Sequence, residues 1–179
     1  LDFLRGDVRE TRLLEVTLAL ATEILTLGGL AKNAEAARAM AQKTLDTGAA
    51  AERFAAMVAA LDGPTDLFER PDQVTLAEHE IAVLPDHPGR IAAQDVRLIG
   101  LAIIALGGGR RRAGDAIDHS VGLSRMAGLG DEVGPDRPLC LVHARSLAAA
   151  EEAARTVRAA VMLGDGAAPG PLVLKRIGP

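Results

Sequence analysis

Through the first sixty residues, apolar positions recur at helical spacing. Between Glu10 and Leu27 they fall at Leu13, Leu14, Val16, Leu18, Leu20, Ile24, Leu25 and Leu27. That set is wider than one narrow stripe, so it predicts a helix buried on most of its sides. Gly28-Gly29 ends it by supplying a residue able to take positive φ. Asn33 is placed to cap a second helix, Ala34 to Thr47, with Gly48 as its stop. A third runs from Ala49 to Leu61 and closes at Asp62-Gly63-Pro64, because proline cannot continue the hydrogen-bond ladder. The alanine density of the last two reflects helix propensity and close packing, and offers no catalytic groups.

Beyond a Pro- and Gly-punctuated linker near residues 63 to 76 the pattern changes. Glu80 to Leu84 reads as a strand, Pro85 to Gly89 as a turn, and Arg90 to Ala93 as a short extended piece. Asp95 caps an apolar helix from Val96 to Leu106, which stops at Gly107-Gly108-Gly109. Ser120 to Met126 and a turn at Gly128 to Asp131 precede a strand at Leu139 to His143. Ser146 caps a long helix to Leu163, with Leu147, Ala150, Ala154, Val157 and Val161 on its inner face. Pro171 to Ile177 is expected as an edge strand bracketed by prolines. Short strands crossed by a few helices make an α+β or mixed α/β module.

Composition removes several function classes. Of 179 residues, three are Phe and none is Tyr or Trp, which leaves no stacking platform for single-stranded nucleic acid. Twenty basic against 24 acidic residues give a formal charge of −4, so there is no basic footprint for DNA or RNA. Cys140 is the only cysteine, which excludes an internal disulfide and disfavours a thiolate zinc site, in keeping with a reducing cytosol. The longest apolar run, Leu98 to Leu106, is too short to span a bilayer, and the N-terminal residues do not read as a signal peptide. The chain starts on Leu1 directly into an apolar pattern, and its first long helix needs more neighbours than are evident. Both features predict a portion of a longer protein.

Candidate chemistry centres on Gly107 to Arg112. Three glycines followed by three arginines could cradle a phosphate. Anion-binding glycine loops precede a helix, however, and these follow one, where the macrodipole is negative. A C-cap is the better reading, with Asp115 and Asp118 as expected partners of Arg110, Arg111 and Arg112. His79, His87, His119 and His143 show no metal spacing and read as surface or strand residues. Cys140, between Leu139 and Leu141, reads as an inert buried thiol. Asp118, His119 and Ser120 are adjacent, and alternation of faces along a strand prevents them from forming a triad. No lysine sits at a turn tip to carry biotin or lipoate.

The run Leu106-Gly-Gly-Gly-Arg-Arg-Arg-Ala-Gly-Asp-Ala-Ile-Asp118, then Val121-Gly122 and Leu129-Gly130-Asp131-x-Val133, resembles the C-terminal region of bacterial thymidine phosphorylases. Leu1 to Gly6, Gly29-Leu30-Ala31-Lys32, Met57 to Ala60 with Gly63 to Asp66, and the alanine-rich helix after His143-Ala144 are similar to the same family in constant order. The resemblance implies a pentosyltransferase that phosphorolyses thymidine reversibly to thymine and 2-deoxy-α-D-ribose 1-phosphate, in pyrimidine salvage. It implies phosphate as co-substrate, no cofactor, a cytoplasmic homodimer, and a cleft between a small helical and a large α/β domain that closes on substrate.

On this basis residues 1–70 are expected to be a mostly helical layer completing the α/β domain, and residues 71–179 a C-terminal α/β hammerhead-like module. The family's phosphate-binding glycine-threonine segment, its lysine-histidine-serine segment and its pyrimidine-holding arginine and lysine find no counterpart here. No catalytic, cofactor-binding or metal residue is therefore carried over. Asp7 falls near the place where related enzymes bind a structural cation, and it is not assigned as a ligand. The chain alone is expected to be inactive. Two alternatives are a broader pyrimidine nucleoside phosphorylase and a non-catalytic interaction module on the same scaffold.

Overall fold

Glu10 opens the first long helix by folding its carboxylate back onto the backbone N–H groups of Arg12 and Leu13, at 2.8 and 2.6 Å. This geometry comes from a computed structural model that describes residues 1–73, 75–165 and 170–177. The chain divides into two compact units, Leu1–Gln73 with Pro171–Pro179, and Val74–Gly170. The linker expected near residues 63 to 76 includes Val74, which lies outside the described residues.

The first unit is helical: α1 (Asp2–Arg5), α2 (Thr11–Leu27), α3 (Ala34–Asp46) and α4 (Ala49–Ala60). Asn33 caps α3 as its sequence position requires, accepting from the Ala36 N–H at 2.8 Å. Leu18, Ala41 and Leu45 form the buried centre, with Phe3, Leu14, Ala21 and Leu25 packed around them. Arg9 ties the unit together: its guanidinium donates to the carbonyls of Phe3 and Leu45 and to Asp46. Phe68 meets Phe54 edge-on, with ring centroids 6.3 Å apart, and lies under Arg5.

Two expectations about this unit fail. α2 is not buried on most sides. Leu18 is its one fully buried residue, while Leu13, Leu20, Ile24 and Leu27 lie exposed, from 50% at Leu13 to 82% at Leu27. Their offsets of seven, four and three residues put them in one stripe. α3 covers the opposite side through Leu14, Leu18 and Leu25. Residues 171–177 form no strand; Arg176 pairs there with Glu23 at 3.0 Å. An isolated apolar run becomes a strand only where an edge accepts its backbone, and none does so here.

The second unit carries both sheets. Strands β1 (His79–Val83), β5 (Cys140–Ala144) and β3 (Gly122–Ser124) form one antiparallel sheet in the order β1-β5-β3. β4 (Glu132–Val133), β2 (Gly89–Gln94) and β6 (Val161–Leu163) form the other, in the order β4-β2-β6. Helices α5 (Val96–Leu106) and α6 (Leu147–Ala160) pack on each other, and α6 lies on β1 and β5. This mixed helix and sheet arrangement agrees with the expected α+β class.

Alanines at 150, 153, 154 and 160 on α6 let that helix approach the sheet closely over Val83, Cys140 and Val142. All three Phe lie in the first unit, so this core is aliphatic. The long helix expected to reach Leu163 ends instead at Ala160. Val161 takes extended backbone, φ −112° and ψ 127°, and Val161–Leu163 pairs with β2 as a strand. The apolar run Val161-Met162-Leu163 fits either state locally, and the free edge of β2 decides.

Candidate functional site

The glycine-arginine loop is built from the end of α5. Gly107 caps that helix in the left-handed region, φ +99°, and its N–H and that of Gly108 return to the carbonyls of Ile104 and Ile103. Gly108 and Gly109 answer a different constraint. A Cβ on Gly108 would stand 2.9 Å from the Ile103 Cγ2, and one on Gly109 2.8 Å from the Ile104 Cγ1. The triplet therefore turns the chain back tightly over its own helix, and the amides of Gly107 and Gly108 are committed to the cap.

Asp115 then closes a turn by accepting the backbone N–H groups of Arg111 and Arg112, at 3.0 and 2.9 Å. It was expected to pair with the guanidinium groups. The carboxylate is four residues away and reaches the main chain first, as short acidic side chains do in turns. Arg110, Arg111 and Arg112 extend exposed from the loop.

Asp118 also has another partner than expected. Its carboxylate accepts from Ser120 Oγ at 2.6 Å and from Arg145 in a two-pronged pair at 2.6 and 3.1 Å. The Arg145 guanidinium and the Ser120 hydroxyl and amide hold the Asp118 carboxyl far below the usual carboxylate range. The Asp118 N–H bonds the Gly107 carbonyl at 2.9 Å, so this pair fastens the far end of the loop to the cap of α5. His119 between them is exposed and joins neither contact, which leaves Asp118, His119 and Ser120 as a turn.

A second cluster lies on the β1-β5-β3 sheet and was not legible in the sequence. His143, 5% exposed, places Nε2 2.7 Å from Ser124 Oγ and Nδ1 3.5 Å from Glu80 Oε2. The three residues come from three strands, and their only local signal is the alternation that sets His143 on the face opposite Val142. Spacing could not reveal them, because the antiparallel register brings them together.

Of the remaining candidates, His79 lies in β1, His87 in the turn before β2, and Cys140 is fully buried in β5, its thiol pushed up to about 11 by burial. Among the described residues no group of three or more His, Cys, Asp or Glu could hold a metal ion. No helix among the described residues is long and apolar enough to cross a membrane.

Residues 90–164, from β2 through β6, match the family described as the pyrimidine nucleoside phosphorylase C-terminal domain. Through this region the chain is similar to that family's C-terminal domain. Over 179 residues, 99% of its length, it is 45% identical to a protein named thymidine phosphorylase from Burkholderia lata. The chain spans 41% of that relative's length.

Proposed function

We propose that this chain serves as the C-terminal part of a thymidine phosphorylase. Such an enzyme transfers the deoxyribosyl group of thymidine to inorganic phosphate, releasing thymine and 2-deoxy-α-D-ribose 1-phosphate, and runs equally in reverse. The observation that carries the reading is the 45% identity, sustained across the whole chain, to a relative of that name. Phosphate acts as co-substrate, and neither a metal nor an organic cofactor takes part. The groups that hold phosphate and pyrimidine belong to the part of such an enzyme that this chain does not match. The glycine-arginine loop supports this division of labour, since the amides of Gly107 and Gly108 are spent on the α5 cap and those of Arg111 and Arg112 on Asp115. The assembled enzyme works as a cytoplasmic homodimer. The loop, held by Asp115 and by Asp118 with Arg145, braces the cleft as it closes on substrate.

The test is a fusion in which the portion of the Burkholderia lata enzyme not matched by this chain is joined to the chain. Incubated with thymidine and phosphate, it is expected to release thymine, and to stop when phosphate is withheld. Release that persists without phosphate would identify a hydrolase and sink the proposal. Uridine in place of thymidine reads out the breadth of the pyrimidine specificity.

A further inference from the structure

Glu80 stands directly opposite His143 across β1 and β5, and Ser124 stands opposite Leu141 across β3 and β5. Partners directly opposite share a face, and so do residues two apart on one strand, so Glu80, His143 and Ser124 lie on the same side of the sheet. That side is the reverse of the one carrying Val83, Cys140 and Val142 into the core. Ser124 ends the edge strand, and Arg125 after it takes the left-handed region, φ +51°, a conformation that non-glycine residues adopt at a cost.

His143 is the informative member. Among the described residues its Nδ1 is buried without a hydrogen-bond partner, and the Glu80 carboxylate lies 3.5 Å from it. A carboxylate facing Nδ1 assigns the ring hydrogen to that atom, which leaves the Nε2 lone pair to accept the Ser124 O–H at 2.7 Å. Glu80 is half exposed, and a shift of a few tenths of an ångström by its side chain completes the second hydrogen bond. A serine hydroxyl bonded to an imidazole, itself oriented by a carboxylate, is the arrangement that activates a nucleophile.

We propose that Ser124 is a reactive nucleophile, with His143 as its general base and Glu80 positioning the imidazole, and that it accepts the acyl group of small activated esters. Attack forms the bond from Ser124 Oγ to the acyl carbon as the ester C–O bond breaks. The serine proton passes to His143 Nε2, the aryloxide leaves with the bonding pair, and His143 then gives the proton to solvent. Water attacking the acyl-serine regenerates the hydroxyl and releases the carboxylic acid. Nothing in this cycle uses thymidine or phosphate, so it stands independently of the phosphorylase reading.

The 179-residue chain incubated with p-nitrophenyl acetate tests the proposal, with p-nitrophenolate release followed by absorbance and the acetylated peptide found by mass spectrometry. The expected result is acetyl on the peptide bearing Ser124, formed about 100-fold more slowly in His143→Gln, several-fold more slowly in Glu80→Gln, and absent in Ser124→Ala. Circular dichroism reports whether each variant is folded. If His143→Gln unfolds, Glu80→Gln, altered at a half-exposed position, carries the decision. Acetyl confined to lysines with Ser124 unmodified would overturn the proposal. So would equal labelling of Ser124 in the parent chain and in folded Glu80→Gln.

Discussion

Gly107 and Asp118 set the glycine-arginine loop by different means. At Gly107 the requirement is conformational, because a side chain in the left-handed region brings Cβ against the following carbonyl. Gly107→Ala is expected to destabilise the chain by about 1–2 kcal/mol, read as a lower urea midpoint with unchanged slope. An unchanged midpoint would mean that the α5 cap relaxes freely.

At Asp118 the requirement is electrostatic and has a sign. Its folded carboxyl is held below its unfolded value, so ionisation favours the folded state at every pH above about 4. That contribution is lost as pH falls through the ordinary carboxylate value toward the depressed one. Urea midpoints measured from about pH 5 down to about pH 3 should therefore fall more steeply for the parent chain than for Asp118→Asn. Parallel curves would show that the pair with Arg145 is too exposed to matter.

Among the elements, those with a local stop or start were legible. Asn33, Asp95 and Ser146 each cap the helix their position announces, and each accepts the N–H three residues on. Ser146→Ala should cost about 1 kcal/mol, measurable as a lower melting temperature of the second unit's transition. A variant melting with the parent would show that water replaces the cap. Elements defined by a distant partner were not legible. Val161 to Leu163 continues the apolar rhythm of α6, and only its pairing with Ile91 to Gln94 makes it a strand. Pro171 to Ile177 has the composition of an edge strand and finds no edge. The Ser124, His143 and Glu80 cluster was hidden for the same reason, since register across three strands assembles it. Asp115 takes backbone partners because an amide close in sequence competes well with a flexible guanidinium, whereas Asp118 pairs with a different arginine, Arg145, distant in sequence.

On the scale of the whole molecule, the two units differ in how their apolar surface is used. The second closes an aliphatic core between α6 and its sheets, with twelve buried residues in one cluster. The first buries three in its cluster and leaves an apolar stripe along α2 open. The chain is 45% identical to a relative named thymidine phosphorylase and spans 41% of that relative's length. The proposed function has this chain contribute structure to phosphorolysis while the reacting groups come from elsewhere. Thymine release from thymidine and phosphate, measured side by side for the chain alone and for its fusion to the unmatched portion of the Burkholderia lata enzyme, tests this directly. No release above a mock preparation is expected from the chain, and phosphate-dependent release from the fusion; release by the chain alone, or a folded fusion without activity, would overturn the proposed division of labour.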